Sequence, residues 1–153
     1  MAWKGFLENP VFLSVVSSLF FAQLVKTVIY LLRRKKKSLR DTMETIIWRT
    51  GGMPSSHAAM VAAMAGSTAF SEGVGSNLFI ITLMFALIIM RDAVGVRRSS
   101  GIQARMLNWL GRQVSERLKV EYRPVKEVNG HSPLEVAVGA LLGIFIAGAF
   151  HFL

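Results

Sequence analysis

From Pro10 to Leu32 the chain is apolar apart from short polar residues, Gln23 and Lys26, and the run Arg33, Arg34, Lys35, Lys36, Lys37 then stops it. A membrane span needs roughly 20 apolar residues, because the hydrocarbon layer is about 30 Å thick. A soluble domain does not normally gather its apolar residues into such blocks with basic runs between them. The chain has 153 residues, 52% of them hydrophobic, and further blocks of this kind follow. The sequence therefore predicts an all-α fold: an integral membrane bundle of about four transmembrane helices plus a basic amphipathic cytoplasmic helix. The chain is expected to be a single domain, 1–153, with spans near 10–32, 54–71, 77–92 and 133–153. The first apolar run is read as a retained helix and not as a signal peptide, since no small-residue cleavage site follows it.

The second block is expected to begin at Pro54 and end near Phe70, with Glu72, Gly73 and Gly75 in a short turn. Its Ala58, Ala59, Ala62, Ala63, Ala65 and Gly66 would let another helix approach closely in lipid, where packing replaces the hydrophobic drive. The third block is Ile/Leu-rich and runs into Arg91 and Asp92. The last carries Gly139, Gly143 and Ala147 at i, i+4, i+8, a packing face. Between these two, over 101–121, Ile102, Met106, Leu110, Val114 and Leu118 recur every four residues among Arg105, Arg112 and Lys119. That pattern predicts a basic amphipathic helix in the headgroup layer. A helix packed on the others is the plainer alternative.

Charge sets the orientation. Of the 18 Lys+Arg, set against 9 Asp+Glu, 15 crowd into the first and last connections, whereas the turn between the second and third blocks has neither Lys nor Arg. Positive loops stay inside. The chain is thus expected in the cell membrane as a multi-pass protein, with basic loops facing the cytoplasm and both termini outward. That bias accounts for the net charge of +9 without nucleic acid. Absence of cysteine excludes disulfides, thiolate metal sites and Cys nucleophiles.

On this topology Lys26, His57, Arg91, Asp92, His131 and Glu135 come from four separate segments to one cytoplasmic level. Ionisable residues inside spans are costly and are functional candidates by default. Gly51-Gly52-Met53-Pro54-Ser55-Ser56-His57 has the composition of an anion cradle, with free N–H groups at a helix start and hydroxyls on Ser55 and Ser56. A simple helix cap is the competing reading. Ser132-Pro133-Leu134-Glu135 also reads two ways. It is a capping box, and Glu135 lies one helical turn from His131, where it would orient the ring. Arg91, Arg97 and Arg98 around Asp92 suit a phosphate head group, or they are inside-positive flanking with one balancing acid.

Pro54-Ser55-Ser56-His57, followed by a second histidine opening a later helix, resembles the type 2 phosphatidic acid phosphatase superfamily, which includes vanadium haloperoxidases. Gln23 with Lys26, the 51–57 stretch, Asp92 to Arg98 with Gly101, Gln103 and Asn108, and Gly130 to Glu135 with Gly139 look like its divergent branch, described as acid phosphatase/vanadium-dependent haloperoxidase-related. The resemblance implies His131 as nucleophile, Glu135 as its orienter and His57 as general acid. It implies Lys26 and Arg33 as an approximate first phosphate-binding motif, with Lys126 near the place of a further cation. The implied reaction is hydrolysis of a lipid phosphate monoester or pyrophosphate through a phosphohistidine, with no metal or other cofactor. Departures from the wider pattern are Arg34 for proline, Ser56 for glycine, Val125 for arginine, Glu135 for aspartate, and four spans for six.

The expected partners are a membrane lipid with a phosphate head group and an anionic lipid surface, with a homodimer allowed by the small bundle. The alternatives to hydrolysis are a head-group binder or small lipid transporter that keeps the anion site, and a structural protein docking through the glycine face of the last helix.

Overall fold

The computed structural model describes residues 2–33, 52–127 and 130–153. The expected first basic loop, from Arg34 through Arg40 and Arg49 to Gly51, lies outside them, as does the side chain of Arg33. Six helices occur among the described residues: α1 (Ala2–Leu7), α2 (Pro10–Arg33), α3 (Ser56–Glu72), α4 (Asn77–Val94), α5 (Val96–Leu118) and α6 (Pro133–Phe152). The fold is a helical membrane bundle. Windows in α2, α6 and the α4–α5 stretch are long and apolar enough to cross a bilayer.

The fourth member is different. α3 has 17 residues, a rise of about 25 Å, and its small residues from Ser56 to Ser67 are buried on nearly every side. It is the axis on which α2, α4 and α6 pack, and its small side chains bring their backbones close. Gly143 of α6 lies so near Ala59 and Ala63 that an added Cβ would collide with backbone atoms, and Gly139 meets Ser55 in the same way. Farther along, Gly66 faces Ala147. The numbers rise together, so α3 and α6 run parallel. The expected packing face of the last helix is thus occupied inside the chain, which removes the idea that a separate partner docks there.

α2 contributes a matching row. Ser14, Ser18, Ala22 and Lys26, each four residues apart, are all buried. Ser14 Oγ lies 3.5 Å from Ser67 Oγ near the end of α3, so α2 is antiparallel to α3. So is α4: Ala93 packs with Ala58 and Val136, whereas Ala86 packs with Val61 and Ala65. The starts of α3 and α6 and the ends of α2 and α4 therefore share one end of the bundle. At the opposite end His151 stacks on Phe70, ring centroids 5.4 Å apart, close to where α2 begins.

Two boundaries differ from expectation. α3 starts at Ser56 and not Pro54, because buried Ser55 is the N-cap and its hydroxyl accepts from the Ala58 amide. The amphipathic helix starts at Val96 and not 101, because only Gly95 separates it from α4, and the Gly95 amide still donates to the Arg91 carbonyl at 2.8 Å. Among the described helices α5 packs on none but α4, to which it is joined. The alternative of an amphipathic helix packed within the bundle does not hold for these residues.

Candidate functional site

Backbone bonds lock the shared end together. The Ser55 amide donates to the Glu135 carbonyl at 3.0 Å, tying the start of α3 to the first turn of α6. The His131 amide donates to the Ala93 carbonyl at 3.2 Å, tying the segment before α6 to the end of α4. Gly130 passes so close to the Arg98 backbone that no side chain fits. His131 is consequently held from both sides, and only 6% of its surface is exposed.

Its ring is oriented as well. His131 Nδ1 lies 3.0 Å from Glu135 Oε2. The same oxygen accepts the Ser132 amide at 3.1 Å, while Ser132 Oγ accepts the Glu135 amide at 3.3 Å. The two readings of Glu135 are therefore not exclusive: one carboxylate oxygen completes the capping box and meets the imidazole. An ionised carboxylate only accepts hydrogen bonds. Opposite an ionised Glu135, Nδ1 would be the donor, and a neutral ring would then have its lone pair on Nε2.

His57 sits in the first turn of α3, exposed on one side, and interacts electrostatically with Arg97, His131, Lys26 and Asp92. Lys26, buried at the end of the α2 row, interacts with Glu135. Gly52, at φ +88°, passes over the Lys26 stem. Convergence of these groups from α2, α3, α4, α5 and α6 is what the sequence pattern anticipated for Lys26, His57, Asp92, His131 and Glu135. Two parallel helices also aim their positive dipole ends at the same place. The amides of Ser56 and His57 have no hydrogen-bond acceptor among the described residues, as an anion cradle requires.

Other expected site residues stand differently. Ser55 is buried as a cap, and Ser56 is buried beside it. Arg97 does not stand free: its Nε donates to Asp92 Oδ2 at 2.7 Å. Arg91 is exposed and, among the described residues, forms no ion pair. Position explains this, since Arg91 is rotated about 100° from Asp92 on the helix. Lys126 is exposed on the segment that follows α5, and no described contact joins it to His131. Arg33 ends α2, with its side chain outside the described residues.

Asn108 is a structural hub that no sequence motif marks as one. It is 4% exposed, and its amide is fully used. Oδ1 accepts from the Val125 amide at 2.9 Å and the Tyr122 hydroxyl at 2.6 Å; Nδ2 donates to the Val125 carbonyl at 3.0 Å and to Glu127 Oε1 at 2.8 Å. This clamps the segment leading toward His131 against α5. Gly111 adds to it by leaving room for the Tyr122 ring. A signal was present: Gly101, Ala104, Asn108, Gly111 and Ser115 alternate by three and four residues, a small and polar seam along α5.

The divergent PAP2 family matches residues 7–146. An uncharacterized membrane protein, YuiD of Bacillus subtilis (strain 168), is 37% identical over 151 residues, covering 92% of each chain. No solved structure matches.

Proposed function

The chain belongs to the divergent PAP2 family, and from that premise we propose that it hydrolyses a lipid phosphate monoester or pyrophosphate through a phosphohistidine on His131. The contact between His131 Nδ1 and Glu135 Oε2, 3.0 Å, carries this reading. It gives a buried imidazole one fixed tautomer with its nucleophilic nitrogen free, the requirement for an activated nucleophile. In the first step His131 Nε2 attacks phosphorus, and the bond to the leaving oxygen breaks with its electron pair on that oxygen. A protonated His57 gives its proton there. Glu135 stabilises the positive charge that the ring acquires. In the second step water loses a proton to the now neutral His57 and attacks phosphorus, and the P–N bond returns its pair to Nε2. Lys26, Arg97 and the amides of Ser56 and His57 offset the charge on the phosphoryl oxygens.

The lipid surface and the side of the membrane follow from charge. On the inside-positive bias, the site faces the cytoplasm, at the depth where a phosphate head group enters between helix ends. A binder without turnover is the second reading, and Val125 favours it. Where the wider superfamily places arginine, Val125 is apolar and its backbone is held by Asn108, so it offers no cation.

The test is phosphate release by the purified protein in lipid from phosphatidate, phosphatidylglycerol phosphate and polyprenyl pyrophosphate, beside His131→Ala and His57→Ala. Release by the unmodified chain that both substitutions abolish supports hydrolysis. Lipid binding with no release from any substrate points to the binder.

A further inference from the structure

We propose that the apolar face of α5 lies on an anionic lipid bilayer and anchors the segment leading to His131 at its surface. The inference does not depend on catalysis. Along α5, Ile102, Met106, Trp109, Leu110, Val114 and Leu118 are all exposed; Met106 and Trp109 are 62% and 60% so, more than a face within a folded bundle would leave open. At 100° per residue they sweep about half of the helix circumference. The opposite side holds the seam of Gly101, Ala104, Asn108, Gly111 and Ser115, and there the segment 119–127 folds back and is clamped. One side of the helix is thus occupied by the chain itself, and the apolar side is turned away from it.

Charge identifies the occupant. α5 carries Arg97, Arg98, Arg105, Arg112 and Arg117 against one acid, Glu116. A basic amphipathic helix with this wide apolar face gains from buried area and from attraction to acidic headgroups together. A second copy is the weaker partner, because it would bring two strongly basic helices together with no acidic surface between them. Continuity gives the same answer. α5 follows α4 after Gly95 alone, and α4 exposes Ile81, Phe85 and Ile88 on its outer surface, as a span facing lipid does. The end of that span holds α5 at the membrane surface, so docking costs little further loss of freedom.

The absence of cysteine makes the test clean. Spin labels are placed one at a time on Met106→Cys, Leu110→Cys and, as the control off the apolar face, Arg112→Cys, in the full chain reconstituted into vesicles. Vesicles of phosphatidylcholine are compared with vesicles that also contain phosphatidylglycerol. Labels at 106 and 110 are expected to be several-fold more protected from a water-soluble nickel chelate than the label at 112, with raised exposure to oxygen and a larger contrast in the anionic vesicles. Equal nickel exposure at all three positions overturns the proposal. Protection accompanied by dipolar broadening between labels also overturns it, in favour of a second copy. Trp109 emission in a Trp3→Phe, Trp48→Phe chain provides an independent reading: brominated lipid should quench it, and emission unaffected by that lipid counts against docking.

Discussion

His131 and Glu135 are joined through a single carboxylate oxygen, which also receives the Ser132 amide. The orienter of the ring is therefore also part of the cap of α6, and the two roles separate by substitution. Glu135→Gln keeps an acceptor for Ser132 but loses the charge that supports a phosphorylated ring. Phosphate release should fall roughly 10²–10⁴-fold, with the unfolding midpoint in detergent nearly unchanged. Glu135→Ala should lose the activity and also about 1 kcal/mol of cap stability. Steady-state kinetics beside thermal unfolding reads both; equal activity in Glu135→Gln and the unmodified chain would remove Glu135 from the mechanism.

Lys26 is buried at the end of a row of small residues, and the carboxylate that offsets its charge among the described residues is Glu135. A buried cation of this kind is poor for stability. Lys26→Met should leave the unfolding midpoint unchanged or raise it, while weakening inhibition by vanadate about tenfold or more. A lowered midpoint with vanadate inhibition intact would assign Lys26 a structural role instead.

Gly143 leaves no room for a Cβ beside the Ala59 carbonyl. Gly143→Ala should cost about 1–3 kcal/mol by overpacking, and Gly143→Leu should prevent the bundle from forming. Thermal unfolding of the alanine variant checks this, and an unchanged midpoint would contradict the parallel packing of α3 on α6.

Asn108 makes four hydrogen bonds to the segment after α5. Asn108→Ala should release that segment without melting the helices that pack on α3. Trypsin cleavage after Lys119 and Lys126 should accelerate several-fold while the unfolding midpoint of the bundle stays within a few degrees. Unaltered cleavage would show that the clamp is not what holds the segment.

Much of this was legible in the sequence because hydrocarbon thickness and small-residue spacing are strong constraints. The apolar blocks gave the bundle, and the polar residues at one level gave Lys26, His57, Asp92, His131 and Glu135 before any geometry. What escaped depends on pairing across elements. Ser14, Ser18 and Ala22 repeat at the same interval as the glycines of α6, yet serine inside a span reads as neutral until Ser67 and Thr68 of α3 are seen buried on the facing helix. The use of Asn108 as a clamp required knowing that Val125 folds back beside it. The apolar repeat begins only at Ile102, so it places the start of α5 near 101, whereas the helix runs from Val96. Arg91 and Arg97 look equivalent in sequence; among the described residues it is Arg97, across the Gly95 break, that pairs with Asp92.

The central claim is the covalent step, and it is tested most directly by trapping it. The protein in lipid is mixed with a phosphatidate or polyprenyl pyrophosphate substrate, quenched in base, and analysed as peptides by mass spectrometry. The account predicts one added phosphoryl group on His131, absent in His131→Ala and accumulated more slowly in His57→Ala. Phosphate released at an undiminished rate by His131→Ala, or a phosphoryl group found on another residue, would contradict it.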